Sequence, residues 1–596
     1  MEVKSGVRIR PRRRAQVHAT NPGAMAEREG GTSEHASSAV QPAQEAASQE
    51  GGAERGDAMQ RPKRRARASA GGAGRTREAR GDASSGESAQ SEPGGRSPKK
   101  RLHRGLEDNL AVLQQLFTDC SDVQFRHLEL EAGRAAALVY FTGMVELEEL
   151  GVEALQPLLT AFHPHTVGDY DPRQLAGRSL PVAQADVVQT VDDVVDAIVL
   201  GRAVLFVDGF DAAVSLTTTS PPRRAISEPE TESVVRGPRE GFTEDITVNM
   251  SLLRQKLRTP KLKSIPYYVG TYTKTEVRLV YVEGLVDEKV IAEAKRRIEG
   301  IEIDGVLESG YLEELIEDQP LSPFPQFQYS ERPDTVAAQL LEGRFAILTN
   351  GTPFALVAPV TWWQFLQASE DYYERFFLVY LVRVLRYVSL FIALFLPAMY
   401  IAVTTYHQDM LPTNLVISIA AARESIPFPA IIEALIMELT FEALREAGIR
   451  LPRAVGHAVS ILGALVIGEA AVEAGIVSAP MVIIVALTGI ASFTVPRYNA
   501  AIAIRLLRFP MMLLGAVLGM FGLVMGVMWV TIHLCKLRSF GVPYLSGFAP
   551  YKRQEVKDLF VRPPWWEMVY RPSSYAKQNR KRMNKQMMPR PEGNPQ

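Results

Sequence analysis

Cysteine is almost missing from this 596-residue chain: Cys120 and Cys535 are its only two. Two are too few for a disulfide framework or a four-ligand zinc site. The N-terminus, Met1 to Arg14, is basic but has no apolar stretch behind it, so it lacks the core of a secretory signal. Residues 1–104 contain almost no Ile, Leu or Phe. Such a stretch cannot bury enough apolar surface to offset chain entropy, and it is expected to be disordered. Its basic runs, Arg12 to Arg14 and Arg61 to Arg67, read as a solvated tail; a hold near anionic lipid or nucleic acid is the alternative, with nucleic acid not an expected partner. Met25 and Met59 are alternative candidate starts. Signatures of catalysis are missing too: there is no His-Glu-x-x-His, no phosphate-binding glycine loop ending in Lys and Ser or Thr, and no Gly-x-Ser-x-Gly. His127, Glu129 and Glu131 are the best fragments of an enzyme, and they make no site. No catalytic, cofactor-binding or metal residue is assigned, and the chain is not expected to be an enzyme.

The net charge of -1 hides a basic head and an acidic stretch between residues 105 and 320. From Leu106 the pattern becomes that of an α/β region. Leu110, Leu113, Leu116 and Phe117 recur at helical spacing, and Ala135 to Phe141 is a strand-like apolar run. Asp192 onward predicts a helix ending at Gly201-Arg202, then two strands joined by Asp208-Gly209, a hairpin signal because such turns need positive φ. The same design returns 142 residues later, with Asp334, Val336, Gly343, Arg344, Gly351 and Ala355 in the matching places. Arg202 and Arg344 are therefore candidate helix caps or interface residues. Between the copies, a strand over Lys274 to Val282 and helices over Glu288 to Ile298 and Ser309 to Glu317 suggest a second subdomain, closed by Pro320, Pro323 and Pro325.

Apolar segments follow: Tyr387 to Thr404, Ile426 to Leu444, Ala454 to Val477, Pro480 to Val495 and Pro510 to Leu534, with Leu411 to Ala422 too short to span. Trp362, Trp363, Tyr372, Tyr373, Arg383 and Arg386 precede them, as at a membrane interface. The positive-inside bias places the large N-terminal region in the cytoplasm. Five crossings would leave the tail outside, yet Lys536, Arg538 and Arg580 to Arg582 favour the inside, so the count stays open. Membrane carboxylates usually face a bundle interior or an aqueous path. Glu438 with Glu442, and Glu469 with Glu473, lie one helical turn apart and are the candidate ion path, as acidic rings in an oligomer. The alternative is that Glu442, Glu446 and Glu473 sit at headgroup level near helix ends, or pair with Arg445.

The expected architecture is thus an α/β soluble region of two related subdomains, then a polytopic α-helical membrane domain, behind a disordered N-terminal extension. Its divisions are 1–104, 105–235, 236–319, a linker with the repeated helix-hairpin unit at 320–386, a transmembrane bundle at 387–535, and a polar basic tail at 536–596.

Val234 to Glu244 (VVRGPREGFTE), Leu307 to Tyr311, Pro320 to Pro325, Glu331 to Asp334, Glu370 to Arg375 and Arg538 to Leu545 (RSFGVPYL) resemble the A subunits of the GerA family of spore germination proteins, over about Val187 to Pro550. The resemblance implies a spore inner-membrane protein that assembles with a transporter-like B subunit and a lipoprotein C subunit to sense nutrients. It also implies homo-oligomers in membrane lipid that act as a nutrient-gated cation channel, with the nutrient held by the B subunit. A family paralogue that amplifies ion release without sensing is one alternative, and a secondary transporter another.

Overall fold

The structure, a computed structural model, describes residues 100–130, 133–156, 158, 171–179, 184–218, 228–229, 231–450, 468–585 and 587–589. The head expected to be disordered, up to residue 99, and most of the Ala454 to Val477 segment lie outside these residues.

Strands β1 (Val123–Leu130), β2 (Arg134–Phe141), β3 (Ala185–Val188), β4 (Ala203–Val207) and β5 (Ala213–Leu216) form an antiparallel sheet in the order β1-β2-β4-β5-β3. Helices α1 (Leu106–Leu116) and α2 (Val191–Val199) cover one face with Leu110, Leu113, Val194 and Ile198. The other face is packed by Leu150, Leu155 and Leu175. Both faces are therefore dry, which is why β2 and β4 read as unbroken apolar runs and not as alternating ones.

A second sheet repeats this plan. Helix α3 (Ile246–Lys256) precedes β6 (Leu262–Val269) and β7 (Thr275–Val282). Helices α4 (Glu288–Glu299) and α5 (Ser309–Ile316) follow, then β8 (Gln328–Ser330), α6 (Pro333–Leu341), β9 (Phe345–Thr349) and β10 (Ala355–Ala358). The order is β6-β7-β9-β10-β8, the same as in the first sheet. Helices α3 and α6 take the places of α1 and α2, while α4 and α5 cover the opposite face. The boundary expected at residue 319 cuts through this sheet, because β8, β9 and β10 hydrogen-bond into the unit begun by β6 and β7. Pro320 to Pro325 is a loop within the second subdomain.

The repeat is wider than the helix-hairpin unit. The turn residues Asp208 and Asn350 do equivalent work: each accepts a hydrogen bond from the first residue of α1 or α3, Leu106 N at 3.0 Å and Ile246 N at 3.3 Å. Asn109 and Asn249, one turn into those helices, clamp their entry loops through bonds to His103 and Thr243. Each hairpin thus caps its own subdomain's first helix, satisfying amide donors that a helix start leaves free. The subdomains are joined by a buried, bidentate Asp122–Arg254 pair, 2.7 and 2.8 Å, with Arg254 stacked 4.3 Å from the Phe141 ring centroid.

The C-terminal half contains α7 (Phe376–Tyr406), α8 (Thr413–Arg423), α9 (Ala430–Arg450), α10 (Ala479–Phe493), α11 (Tyr498–Lys536) and α12 (Arg553–Phe560). By length and composition, α7 and α11 can cross a membrane. The first starts eleven residues before the expected Tyr387, and one face of those added turns, Val379, Arg383 and Arg386, is buried on protein. The second is not one straight rod. At Gly519 the backbone takes φ 61° and ψ -143°, outside the helical region. Beyond it Gly522 lies against Leu514 and Gly526 against Met511, so the chain doubles back. The small glycines allow this close approach between the two arms. The arms are about 31 Å and 26 Å long at 1.5 Å per residue. The segment expected as one crossing from Pro510 to Leu534 is therefore a helical hairpin. Its first arm runs parallel to α7, with Arg508 at Ala393, Gly515 at Ala398 and Gly519 at His407.

The return arm delivers the tail to the end of the bundle that carries the soluble region. Strands β11 (Arg538–Ser539) and β12 (Val542–Pro543) form a small hairpin there. Tyr544, Tyr575 and Ala576 are fully or nearly fully buried, so most of the described tail is folded and not a polar appendage. Its charge conceals an apolar content of Tyr544, Phe548, Trp565, Trp566 and Tyr575 that is sufficient to pack.

Candidate functional site

Glu438 on α9 is fully buried, and its Oε2 lies 2.5 Å from Nη1 of Arg508 on α11. Arg508 Nε donates to the Ala393 carbonyl on α7 at 2.8 Å, so one guanidinium ties three helices. Glu442, one turn on, is shared by Arg445 at 3.1 Å and Arg505 at 3.3 Å. Glu433 accepts from Ser478 N and Oγ, at 3.0 and 2.7 Å, and pairs with Arg423. Glu469 and Glu473 are exposed, and among the described residues no hydrogen bond or ion pair joins them to Glu438 or Glu442. The Glu438 and Glu442 carboxylates are thus neutralised within one chain. For Glu442 this is the alternative read from the sequence, pairing with Arg445. Arg505 and Arg508, basic residues within the apolar C-terminal half, are the internal partners of these two carboxylates. The available signal was their place inside an apolar run, since membrane charges are usually paired.

The duplicated arginines have diverged. Arg202 is partly exposed and pairs with Asp186 at 2.8 Å. Arg344 is buried, bonded to Gln339 and Glu342, and stacked 4.3 Å from the ring centroid of Tyr575 in the tail. Both backbone amides bond back to the preceding helix, to Ala197 and Gln339, as a cap requires. Arg344 additionally holds the tail. Arg202→Ala should therefore change thermal stability by no more than about 1 kcal/mol. Arg344→Ala should cost about 2–3 kcal/mol, since charged hydrogen bonds and a buried stack are lost together. Equal melting temperatures for the two variants would remove the distinction.

Segments far apart in sequence meet where the second subdomain joins the bundle. Arg332, at the start of α6, is buried and pairs with Asp334 while donating to the carbonyls of Glu232 and Pro238. Tyr373 OH donates to Asp334 Oδ2 at 2.5 Å, and Glu232 pairs with Arg497 at the head of α11. Beside this, Asp371 Oδ2 receives both Arg383 at 3.2 Å and Arg386 at 2.7 Å from the first turns of α7. Arg383 continues to the carboxylate and carbonyl of Asp558 on α12, and Tyr372 OH donates to Asp558 at 2.9 Å. Burial pushes the Asp558 pKa up, against the pull of Arg383 and Tyr372. Arg383 and Arg386, expected to lie among headgroups, are thus locked in protein.

The Arg538 to Leu545 segment closes the junction from the other side. Ser539 Oγ donates to Gln326 O at 2.9 Å, Tyr544 OH donates to Pro325 O at 2.6 Å, and Phe540 packs edge-on against Phe327 and Phe345. Tyr544 O accepts from Trp362 N at 2.9 Å. Five of the motif segments singled out in the sequence therefore converge on one joint. Among the described residues no group of three or more His, Cys, Asp and Glu converges as a metal site would. What the joint does contain is buried ion pairs that hold the soluble unit against the helical one.

Near this joint, burial and three neighbouring acids push Glu313 on α5 up to about 8, and burial pushes Glu317 up to about 7. A raised carboxyl pKa favours the protonated native state. Its stability contribution is complete below the unfolded value near 4.5 and is lost as pH rises through 7 to 8. Protection factors at α5, taken relative to the intrinsic base-catalysed exchange rate, should fall between pH 5 and pH 8, and Glu313→Gln should flatten that fall. A pH profile unchanged by the substitution would count against the assignment.

The family model described as Bacillus/Clostridium GerA spore germination protein matches residues 111–574, a wider stretch than the sequence motifs marked. The chain belongs to the GerA family of spore germination proteins, the A subunits of germinant receptors. It is 45% identical to spore germination protein KA of Bacillus subtilis over 82% of this chain and 89% of that one. It is 44% identical to spore germination protein GerLA of Bacillus cereus over 65% and 79%. A Bacillus subtilis relative named "Uncharacterized membrane protein YfkQ" is 56% identical over 82% of this chain and 95% of its own length. The crystallised N-terminal domain of the A subunit of the Bacillus megaterium germinant receptor GerK3 is 30% identical, covering 44% of this chain and 98% of that one, with a TM-score of 0.33.

Proposed function

We propose that this chain is the A subunit of a nutrient germinant receptor in the spore inner membrane, and that its helical bundle, as a homo-oligomer, carries the cations released when nutrient is sensed. A transporter-like B subunit and a lipoprotein C subunit complete the receptor. The carrying observation is the joint: the soluble subdomains and the C-terminal tail grip the same end of the bundle through Asp371, Arg383, Arg386 and Asp558. Such an arrangement suits a soluble unit that sets the tilt of α7 and thereby opens or closes a path. The α11 hairpin supports a soluble region and tail that share the cytoplasmic side, which also removes the conflict between an odd count of crossings and the basic tail.

Spores lacking this chain should fail to release potassium on addition of at least one nutrient that triggers the wild type, with release restored by the intact gene. Purified chain in liposomes should conduct potassium only once assembled. Normal release for every nutrient tried, together with liposomes that stay tight, would sink the reading.

A further inference from the structure

A crevice of about 280 Å³ lies where α9, α10 and α11 approach the soluble region, with Thr231, Glu232 and Tyr329 on the soluble side and Arg445, Arg497 and Arg505 on the bundle side. The arginine side chains are only 9%, 8% and 13% exposed. Their ion pairs use two carboxylates, Glu442 and Glu232, so three cations face two anions and one positive charge is left over. The Nε donors of Arg445 and Arg497 are buried without a hydrogen-bond partner. A buried donor of this kind is costly unless an acceptor arrives. Arg445 is held between the Phe441 and Phe493 rings, 4.8 and 5.1 Å from their centroids, which fixes its direction.

We propose that this crevice binds the phosphodiester headgroup of an anionic phospholipid, an inference that rests on the membrane placement proposed above. A phosphodiester carries one negative charge and unshared acceptor oxygens, matching both the surplus charge and the unused donors. Two exposed apolar stripes leave the crevice along the bundle: Ile483, Leu487, Ile490 and Phe493 on α10, and Tyr498, Ile502 and Leu506 on α11. Their spacing of three and four residues keeps each stripe on one helix face, a lane for the acyl chains. A free phosphate ion has no use for that lane, and this favours the lipid as source.

The test uses full-length protein in mild detergent, offered phosphatidylglycerol and phosphatidylcholine in equal amounts and read by native mass spectrometry. The wild type should retain phosphatidylglycerol preferentially. Arg445→Gln and Arg497→Gln should each lower that preference about fivefold, the effect of one cation near a headgroup. Arg497→Lys keeps the charge and should keep most of the preference, so a loss specific to Arg497→Gln reports charge and not misfolding. Arg423→Gln, whose guanidinium serves Glu433 instead, should leave the preference intact. No preference in the wild type, or an undiminished one in both Gln variants, overturns the proposal. So does inorganic phosphate that displaces the lipid as effectively as added phosphatidylglycerol does, since it would make the ligand a free anion. Carbonate extraction of membranes from expressing cells reads the membrane placement separately: a chain that stays in the bilayer and shows no lipid preference overturns this site alone.

Discussion

Arg508→Met should lower the stability of the detergent-solubilised chain by about 3–5 kcal/mol, because it strands the fully buried Glu438 carboxylate without its partner. Arg508→Met combined with Glu438→Met should recover most of that loss, since an apolar pair of similar volume needs no desolvation of charge. A thermal unfolding series of the two single variants and the double variant measures the coupling directly. Strict additivity would mean the two side chains do not depend on each other. The same series bears on cation release. If Glu438 acts only as a structural partner, the double variant should release potassium at the wild-type rate once its folded amount is matched. A folded double variant that releases none would return Glu438 to the ion path.

The second large effect is expected at the joint. Asp371→Ala leaves Arg383 and Arg386 buried around a missing carboxylate and should cost about 3–5 kcal/mol. The damage should spread to the tail, because Arg383 is also what α12 is anchored to through Asp558. Limited trypsin digestion should then cut after Arg553 and Lys557, which the folded α12 protects in the wild type. Asp371→Asn keeps the shape and one acceptor, and should fall between the two. A tail in Asp371→Ala that resists trypsin as well as the wild type would show that the aromatic contacts around Trp363, Phe548 and Phe560 hold it unaided.

Local chemistry was readable in this chain wherever it repeats or obeys a short-range rule. Helix α2, the Asp208-Gly209 turn and their copies 142 residues on follow from turn and cap preferences that act within a few residues. The register of the copies also foretold two related units. That the second copy's hairpin belongs to the sheet of β6 and β7 was not readable, because strand partners 64 to 72 residues apart leave no spacing signal. The candidate site was legible in a similar measure. Glu438 and Glu442 stood out as charges in an apolar run, and Arg445 lay three residues from its partner. Arg505 and Arg508 join them only through helix packing across more than sixty residues. The Gly519 turn was missed for another reason: hydropathy measures the length of an apolar run and is blind to a single residue with positive φ inside it.

The return of the tail to the joint has a consequence for how the chain is made. Arg383 and Arg386 belong to the first apolar helix to leave the ribosome, whereas Asp558, which completes Arg383, and Tyr575, which covers Arg344, are synthesised some 170 to 230 residues later. Until then Asp371 is the one carboxylate that pairs with Arg383 and Arg386. A premature stop between Lys536 and Asp558 would leave the α7 and α11 helices intact and yet expose half-satisfied arginines at the joint, so quality control would judge this protein by its tail.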